Sequence, residues 1–321
     1  MLFRRKSSNL VVDLGFYGKL PQFADFVQHH ATHEPVRALD EWLQAGLAAL
    51  RASGEGIADD YGEVPHVRFL WHGREAGSCL VGAFRTSADR SGRRYPFIVF
   101  ALLDCAAGAR WHARAPIAFA ALLERASALL DQAPQAPGPQ TLVDRIEALE
   151  PPSPEALDAA AETYEGFVRE TRTHDFLDGA LPDQPEEIRL RLASRLYSLY
   201  APLRKRSLAA SPLAVRYPLA ADAPAPFAAF WLELSAELAG GKSPQPVAFW
   251  MPEADRPFLL APLGRPSAKT FLHLLRDDVP DESLCDLTAP SERPIHPEAR
   301  SLALVEEPPL LLHEVLARAN P

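Results

Sequence analysis

Residues 78–103, SCLVGAFRTSADRSGRRYPFIVFALL, contain two long apolar runs separated by a short polar segment. The runs, residues 78–86 and 95–103, are nearly all apolar, which is typical of strands that are covered on both faces. The segment between them is rich in serine, glycine and arginine, which indicates a loop. We predict that the two runs pair as a hairpin and that the loop lies at one edge of a sheet.

Further elements on either side predict an α/β fold. Strand-like runs occur at residues 10–17, 67–71, 213–219, 247–251 and 258–261. Apolar residues at helical spacing predict helices near residues 35–52, 119–130, 142–149, 154–168, 186–200, 227–238 and 267–275. Because several strands follow one another without a helix between them, we predict a mixed sheet with helices on both faces.

The composition is that of an ordinary globular protein with an acidic net charge. The chain has 321 residues, 47% of them hydrophobic, so it can bury a large core without metal ions or disulfides. Its formal net charge is -9. Because sequence-independent binding of nucleic acid depends on a basic surface, we expect no nucleic-acid partner.

Cysteine use and hydropathy predict a protein of a reducing compartment. The three cysteines, Cys79, Cys105 and Cys285, are widely spaced without a Cys-x-x-Cys pair, which argues against a zinc site and a disulfide framework. Asp13 ends the first apolar run too early for a signal peptide, and no window approaches the roughly 18 apolar residues of a membrane span. We therefore expect a cytoplasmic protein without a metal or other cofactor and without membrane insertion.

A second stretch of unusual composition is residues 15–21, GFYGKLP, followed by Asp25 and Phe26. It differs from a Walker A motif, because two residues separate the glycines instead of four and Leu20 replaces the required Ser or Thr. Nucleotide hydrolysis is therefore disfavoured. The stretch is interpreted either as a structural turn or as a loop whose backbone amides contact an anion or a partner.

The loop of residues 87–94 leaves three interpretations open. In the simplest, Asp89 accepts hydrogen bonds from backbone amides and pairs with an arginine across a turn. In the second, the arginines recognise carboxylate or phosphate groups of a partner. In the third, Ser87 is the nucleophile of a hydrolase, although the chain has no Gly-x-Ser-x-Gly motif and a distant histidine would have to serve as the base.

Together, the two stretches resemble the TagF/ImpM family of type VI secretion system-associated proteins. Residues 15–21 with Asp25 and Phe26 are similar to the opening of the family, and residues 87–97 (SxDRxGRxYPF) are similar to its second signature. Thr86 stands where family members tend to have proline. The shorter stretches that also fit are residues 39–43, 230–232, 249–250 and 263–266.

The resemblance implies a three-layer αβα sandwich with a mixed β-sheet flanked by helices. It also implies a non-enzymatic, cytoplasmic accessory protein that represses type VI secretion after translation by binding an FHA-domain scaffold protein (Fha), alongside or linked to a kinase and phosphatase switch on threonine. Some members are fused to a phosphatase, but this chain has no run of metal-binding aspartates, so that activity is not expected. The alternatives are the Ser87 hydrolase and a structural component of the secretion apparatus.

The same reasoning divides the chain into three parts. Residues 1–13 are expected to form a flexible N-terminus and residues 14–275 a TagF-like domain. A proline-rich segment near residues 131–140 offers a place to subdivide this domain. Residues 276–321, rich in proline and acidic residues, are expected to form a loosely attached C-terminal extension.

Our hypothesis for partner binding is that the two loops lie close together and present one surface. Some of the motif residues, chiefly glycines and prolines, are expected to serve the fold. Reversing the charges of Arg90 and Arg93 together is expected to weaken partner binding and to leave the thermal melt unchanged. The residues assigned to the surface are Gly18, Lys19, Pro21, Asp25, Phe26, Ser87, Asp89, Arg90, Gly92, Arg93, Tyr95 and Pro96.

Overall fold

The computed structural model of the chain describes residues 10–53, 61, 64–74, 77–105, 112–202, 211–240, 247–276, 282–290 and 302–319. Within these residues there are nine strands. They are β1 (Val11–Gly18), β2 (Val27–His29), β3 (Val67–His72), β4 (Ser78–Arg85), β5 (Phe97–Asp104), β6 (Ala214–Pro218), β7 (Ala248–Met251), β8 (Phe258–Pro262) and β9 (Leu284–Asp286). The strands form one sheet in the order β2-β1-β5-β4-β3-β7-β8-β6-β9.

The sheet is mixed, as predicted. The two apolar runs are β4 and β5, which pair as an antiparallel hairpin from Ser78 opposite Asp104 to Arg85 opposite Phe97. β6 and β9 pair in parallel, and the other described pairs are antiparallel. The hairpin prediction is therefore confirmed, and the polar loop between the two runs lies where β4 ends and β5 begins.

The described residues also contain ten α-helices. They are α1 (Glu34–Ala52), α2 (Ala115–Ala118), α3 (Ala120–Gln132), α4 (Pro139–Glu147), α5 (Pro154–Glu170), α6 (Thr173–Ala180), α7 (Glu186–Tyr200), α8 (Pro224–Leu238), α9 (Ala268–Leu275) and α10 (Leu312–Ala319). Local sequence explains some of their boundaries. At the start of α5, the Ala156 amide donates a hydrogen bond of 3.2 Å to the Ser153 hydroxyl, a cap that contributes about 1 kcal/mol.

The helices lie in two layers, one on each face of the sheet. Side chains alternate between the faces along a strand, so that Leu80 and Phe84 of β4 share a core with α1 and α9. Val81 of β4 packs on the opposite side, in a core with helices that include α3, α5, α7 and α8. The expected three-layer arrangement, with a mixed sheet flanked by helices, is confirmed.

The ends of the chain differ in part from the expectation. Residues 1–9 lie outside the described residues, whereas residues 11–13 already belong to β1. Beyond residue 276, β9 extends the sheet beside β6, and Leu312 and Val315 of α10 are fully buried in the core. The predictions of a flexible segment at residues 11–13 and of a loosely attached extension are therefore wrong for these parts, while the division of the chain into three parts stays a prediction.

Candidate functional site

The two loops of interest lie side by side at one end of the sheet. The first loop, residues 19–26, connects β1 to β2, and the second loop, residues 86–96, connects β4 to β5. β1 and β5 are antiparallel neighbours in which Gly18 lies opposite Phe97, so the end of β1 meets the start of β5. The Arg90 amide donates a hydrogen bond of 2.8 Å to the Phe23 carbonyl and joins the loops directly. The structure confirms that the loops are adjacent.

Gly18 makes the close approach of the two loops possible. Its φ angle is 139°, a conformation that residues with a Cβ atom rarely adopt. A Cβ at this position would overlap the Pro96 carbonyl oxygen and lie 2.8 Å from the Phe97 Cα. Glycine is therefore required here by the backbone conformation and by the space that Pro96 occupies.

A buried carboxylate connects the two loops. One oxygen of Asp89, Oδ2, accepts hydrogen bonds from Lys19 Nζ at 2.9 Å and from Arg93 Nε at 2.6 Å. The other, Oδ1, accepts from the amide and hydroxyl of Ser91 at 2.9 and 2.7 Å and from the Arg93 amide at 3.0 Å. Arg93 Nη2 also donates to the Ala24 carbonyl of the first loop at 2.7 Å. We call Asp89, Lys19, Ser91 and Arg93 the Asp89 network.

The Asp89 network holds its carboxylate in the charged form. Burial of Asp89, which is 3% exposed, raises its pKa, but the hydrogen bonds from Lys19, Ser91 and Arg93 outweigh burial and hold the pKa well below its ordinary value of 3.8. The carboxylate is thus charged at neutral pH and accepts hydrogen bonds from both loops.

Aromatic side chains pack on the first loop and tie both loops to α1. The Tyr95 hydroxyl donates a hydrogen bond of 2.5 Å to Asp40 Oδ1 of α1, and the Tyr17 hydroxyl lies 3.4 Å from the same oxygen. Burial, and then Asp40, raise the pKa of Tyr17 to about 12 and that of Tyr95 further. The Phe26 ring contacts both tyrosines, with centroids 5.2 Å from Tyr17 and 4.8 Å from Tyr95.

Comparison with known proteins identifies the part of the chain that contains both loops. Residues 15–149 match the family model described as TagF N-terminal domain, type VI secretion system-associated. This part of the chain is a TagF N-terminal domain, which we call the TagF domain. It is accordingly associated with the type VI secretion system.

Other comparisons add little to the TagF match. The crystal structure of PA0076 from Pseudomonas aeruginosa PAO1 aligns over 84% of this chain and 96% of its own, with 20% identity and a TM-score of 0.45. A search of curated proteins gave no match. No helix in the described parts of the chain combines the length and the apolar character needed to cross a membrane.

Most of the predicted site residues in the TagF domain are either exposed or buried. The exposed residues lie on the two adjacent loops, and we call them the loop surface: Pro21, Asp25, Phe26, Arg90, Gly92 and Arg93. The buried residues hold the loops together: Gly18, Lys19, Asp89, Tyr95 and Pro96. Ser87 is half-buried. The buried group acts through the fold, and the loop surface is the part that a partner can reach.

Ser87 of the TagF domain has a backbone role in the structure. Its carbonyl accepts a hydrogen bond from the Tyr95 amide at 2.9 Å, and its amide donates to the Tyr61 hydroxyl at 3.5 Å. Within the described residues, no hydrogen bond joins the Ser87 hydroxyl to a histidine. A serine hydrolase needs such a base within reach, so the geometry gives no support to the hydrolase alternative.

Asp40 is an important residue of this region that the sequence did not single out. It lies in α1, far from both loops in sequence, and it accepts the hydrogen bond of the buried Tyr95. Residues 39–43 contribute to the resemblance to the TagF family, but the resemblance assigns no role to the acid among them. The sequence feature that could have indicated its role is an acidic residue in a helix next to the apolar Leu39 and Trp42, both of which are buried in the structure.

The cysteines of the TagF domain are arranged differently from the prediction. Cys79 and Cys105 were expected to be unpaired, but they are joined by a disulfide. His72 and His112 lie against them, and burial lowers the pKa of His112 to about 4. This cluster lies at the end of β4 and β5 that is opposite the loops, where β4 begins and β5 ends.

Proposed function

We propose that the chain is a non-enzymatic, cytoplasmic accessory protein that represses type VI secretion after translation by binding an FHA-domain scaffold protein. The observation that carries this proposal is the family match. The matched residues 15–149 contain both loops and the strands β4 and β5 that hold the second loop. Binding suits the loop surface, since it presents an aromatic ring and charged side chains on a rigid sheet.

The loop surface offers a partner both apolar and charged contacts. Phe26 is 37% exposed, which is uncommon among the large apolar side chains of the described residues. Aromatic residues and arginines are the types that most often dominate binding energy at interfaces, and arginine binds carboxylates and phosphates through paired hydrogen bonds. Because the Asp89 network already fixes the loops, a partner would not have to order them, which lowers the entropic cost of binding.

The two arginines of the loop surface have different roles. Arg93 is bonded to Asp89 and to the Ala24 carbonyl, so a glutamate at position 93 would repel the buried carboxylate and destabilise the loops. The Arg90 side chain is exposed and forms no ion pair within the described residues. The unchanged melt that we expected for the double charge reversal is therefore expected for Arg90→Glu alone.

A pull-down from the cytosol of the host tests the proposal. Arg90→Glu is compared with Arg169→Glu, a matched charge reversal on α5 where the arginine side chain is 68% exposed and its described ion pair is with Glu165. We expect wild type and Arg169→Glu to recover an FHA-domain protein, and Arg90→Glu to recover about tenfold less, as for the loss of one interface hot spot. Thermal melts confirm that all three proteins are folded.

The outcomes separate the site from the function. Equal recovery by all three proteins would keep the partner and contradict the loop surface as the contact. Recovery of the assembled apparatus instead of a single regulator would favour a structural component.

Pretreating the cytosol with a phosphatase tests whether the kinase and phosphatase switch controls binding. Secretion should rise when the gene is deleted, and unchanged or lower secretion would contradict repression.

A further inference from the structure

Four side chains of types that can bind metals converge in the interior of the TagF domain. They are His72, Cys79, Cys105 and His112, and we call them the His/Cys cluster. One ligand atom from each residue lies within 4.8 Å of the ligand atoms of all the others. A tetrahedral zinc site with ordinary bond lengths places its ligand atoms about 3.3–3.8 Å from one another. The four side chains are therefore within small movements of zinc-binding geometry.

The sheet brings the His/Cys cluster together from four separate positions. His72 at the end of β3 lies opposite Cys79 of β4, and Cys79 lies opposite Leu103 of β5. Cys105 follows Leu103 by two residues, and its amide donates a hydrogen bond of 2.8 Å to the Gly77 carbonyl. The His112 ring, just before α2, meets the His72 ring edge to face at 4.6 Å between centroids.

We propose that the His/Cys cluster of the reduced protein binds one zinc ion. Two cysteine sulfurs and two imidazole nitrogens are a ligand set typical of structural zinc. A disulfide uses only the two cysteines of the cluster. Zinc uses all four side chains.

Charge balance supports a zinc ion at this buried position. Two thiols each release a proton when they bind, so the two thiolates neutralise the double positive charge of the metal. Cys79 is fully buried, and Cys105 and His72 are nearly so. A site without net charge avoids the large cost of burying an isolated ion. Four protein ligands leave no open position for substrate, so the ion has a structural role.

The zinc ion would join two connections at one end of the sheet. His72 and Cys79 flank the turn between β3 and β4, and Cys105 and His112 flank the connection from β5 to α2. The metal and the disulfide exclude each other, because both use the same two sulfur atoms. Reduction of the disulfide to two thiols requires two electrons from a thiol or phosphine reductant, which becomes a disulfide or a phosphine oxide, and two protons from the reductant thiols or from water.

Metal analysis of the full chain tests the proposal. The protein is purified without chelators in a phosphine reductant, supplied with zinc, desalted and analysed by mass spectrometry for bound metal. We expect about one zinc ion per wild-type chain, as for a structural site with four ligands. Cys79→Ser and His112→Ala should lose the ion. Cys285→Ser, a matched cysteine change in β9 outside the His/Cys cluster, should retain it.

A second measurement on the wild-type protein covers the case in which the variants misfold. Cobalt(II) bound in place of zinc should give a thiolate charge-transfer band and the intense visible bands of a tetrahedral site. Folded, reduced wild-type protein that holds no more zinc than His112→Ala and gives no cobalt spectrum would overturn the proposal. Resistance of the Cys79–Cys105 disulfide to the reductant in folded protein would also overturn it.

Discussion

The two ends of strands β4 and β5 are joined to their surroundings in different ways. At the end near the loops, the Asp89 carboxylate accepts five hydrogen bonds from two charged side chains, two backbone amides and the Ser91 hydroxyl. At the opposite end, sulfur and imidazole groups of the His/Cys cluster meet in a largely buried site. The first end holds the loop surface in place, whereas at the second end the disulfide joins the start of β4 to the residue that follows β5.

This difference predicts which substitutions should affect partner binding and which should affect only stability. Lys19 and Arg93 belong to the Asp89 network, and they also contact Phe26 or the first loop on the loop surface. Changes at that end should therefore alter stability and binding together. Changes at the His/Cys cluster should respond to metal and reductant, and they should leave the loop surface intact.

The largest loss of stability should follow Asp89→Asn, which removes the buried negative charge that joins the two loops. The substitution keeps the shape of the side chain but removes the charge that compensates Lys19, which is 6% exposed. A buried charge without its partner is strongly destabilising, and we expect the melting temperature to fall by on the order of 5–10 °C. Differential scanning calorimetry measures the change.

The acid dependence of stability provides the control for Asp89→Asn. The pKa of Asp89 is lower in the folded protein than its ordinary value of 3.8. Its stabilisation is therefore complete above about pH 4 and is lost as the pH falls from there towards the folded-state pKa. Asp89→Asn should show a shallower loss of stability in this range. Asp25→Asn, an exposed change in the first loop, should behave like wild type.

The next largest effect should come from Gly18→Ala, which tests the close approach of the loops. The new Cβ would meet Pro96 and would also be strained at a φ of 139°, so we expect a loss of about 3 kcal/mol in the free energy of unfolding. Gly92→Ala is the matched control, because its φ is 83° but no atom lies within 4 Å of the new Cβ. It should cost about 1 kcal/mol. Equal losses in urea titrations would show that the contact with Pro96 does not matter.

The smallest of these effects should follow Tyr95→Phe, which removes a hydrogen bond between the second loop and α1. It removes a buried hydroxyl that donates to the Asp40 carboxylate at 2.5 Å, so we expect a loss of about 1.5–3 kcal/mol, as for hydrogen bonds to charged groups. Tyr17→Phe removes a hydroxyl 3.4 Å from the same oxygen and should cost less than about 1 kcal/mol. A larger loss for Tyr17→Phe in chemical denaturation would reverse the roles of the two tyrosines.

Sequence patterns predicted most of the sheet and the two loops because these features are local. The apolar runs of β4 and β5, the proline and serine at the start of α5 and the glycines of both loops each lie within a few neighbouring residues. The partnership of Asp89 with an arginine of its own loop was also predictable, since Arg93 is four residues away. The short elements β2, α2, α6 and β9 were missed, because three to eight residues give little periodicity.

The features that were missed depend on distant parts of the chain. Asp40 reaches Tyr95 across 55 positions, and Lys19 reaches Asp89 across 70. Cys79 and Cys105 meet only because β4 and β5 pair in one particular register. Sequence spacing suggested that these cysteines were apart, and the antiparallel hairpin brings them together. Long-range polar contacts require the topology first, and no local pattern supplies it.

The strand order also has a consequence for synthesis on the ribosome. Five adjacent strands, β2, β1, β5, β4 and β3, come from residues 11–104, whereas the strand that pairs with the other edge of β3 is β7, residues 248–251. Domains emerge from the ribosome N-terminal end first. The first half of the sheet therefore carries an open hydrogen-bonding edge along β3 while the intervening helices are made, and such edges are templates for wrong pairing. The arrival of β7 closes this edge.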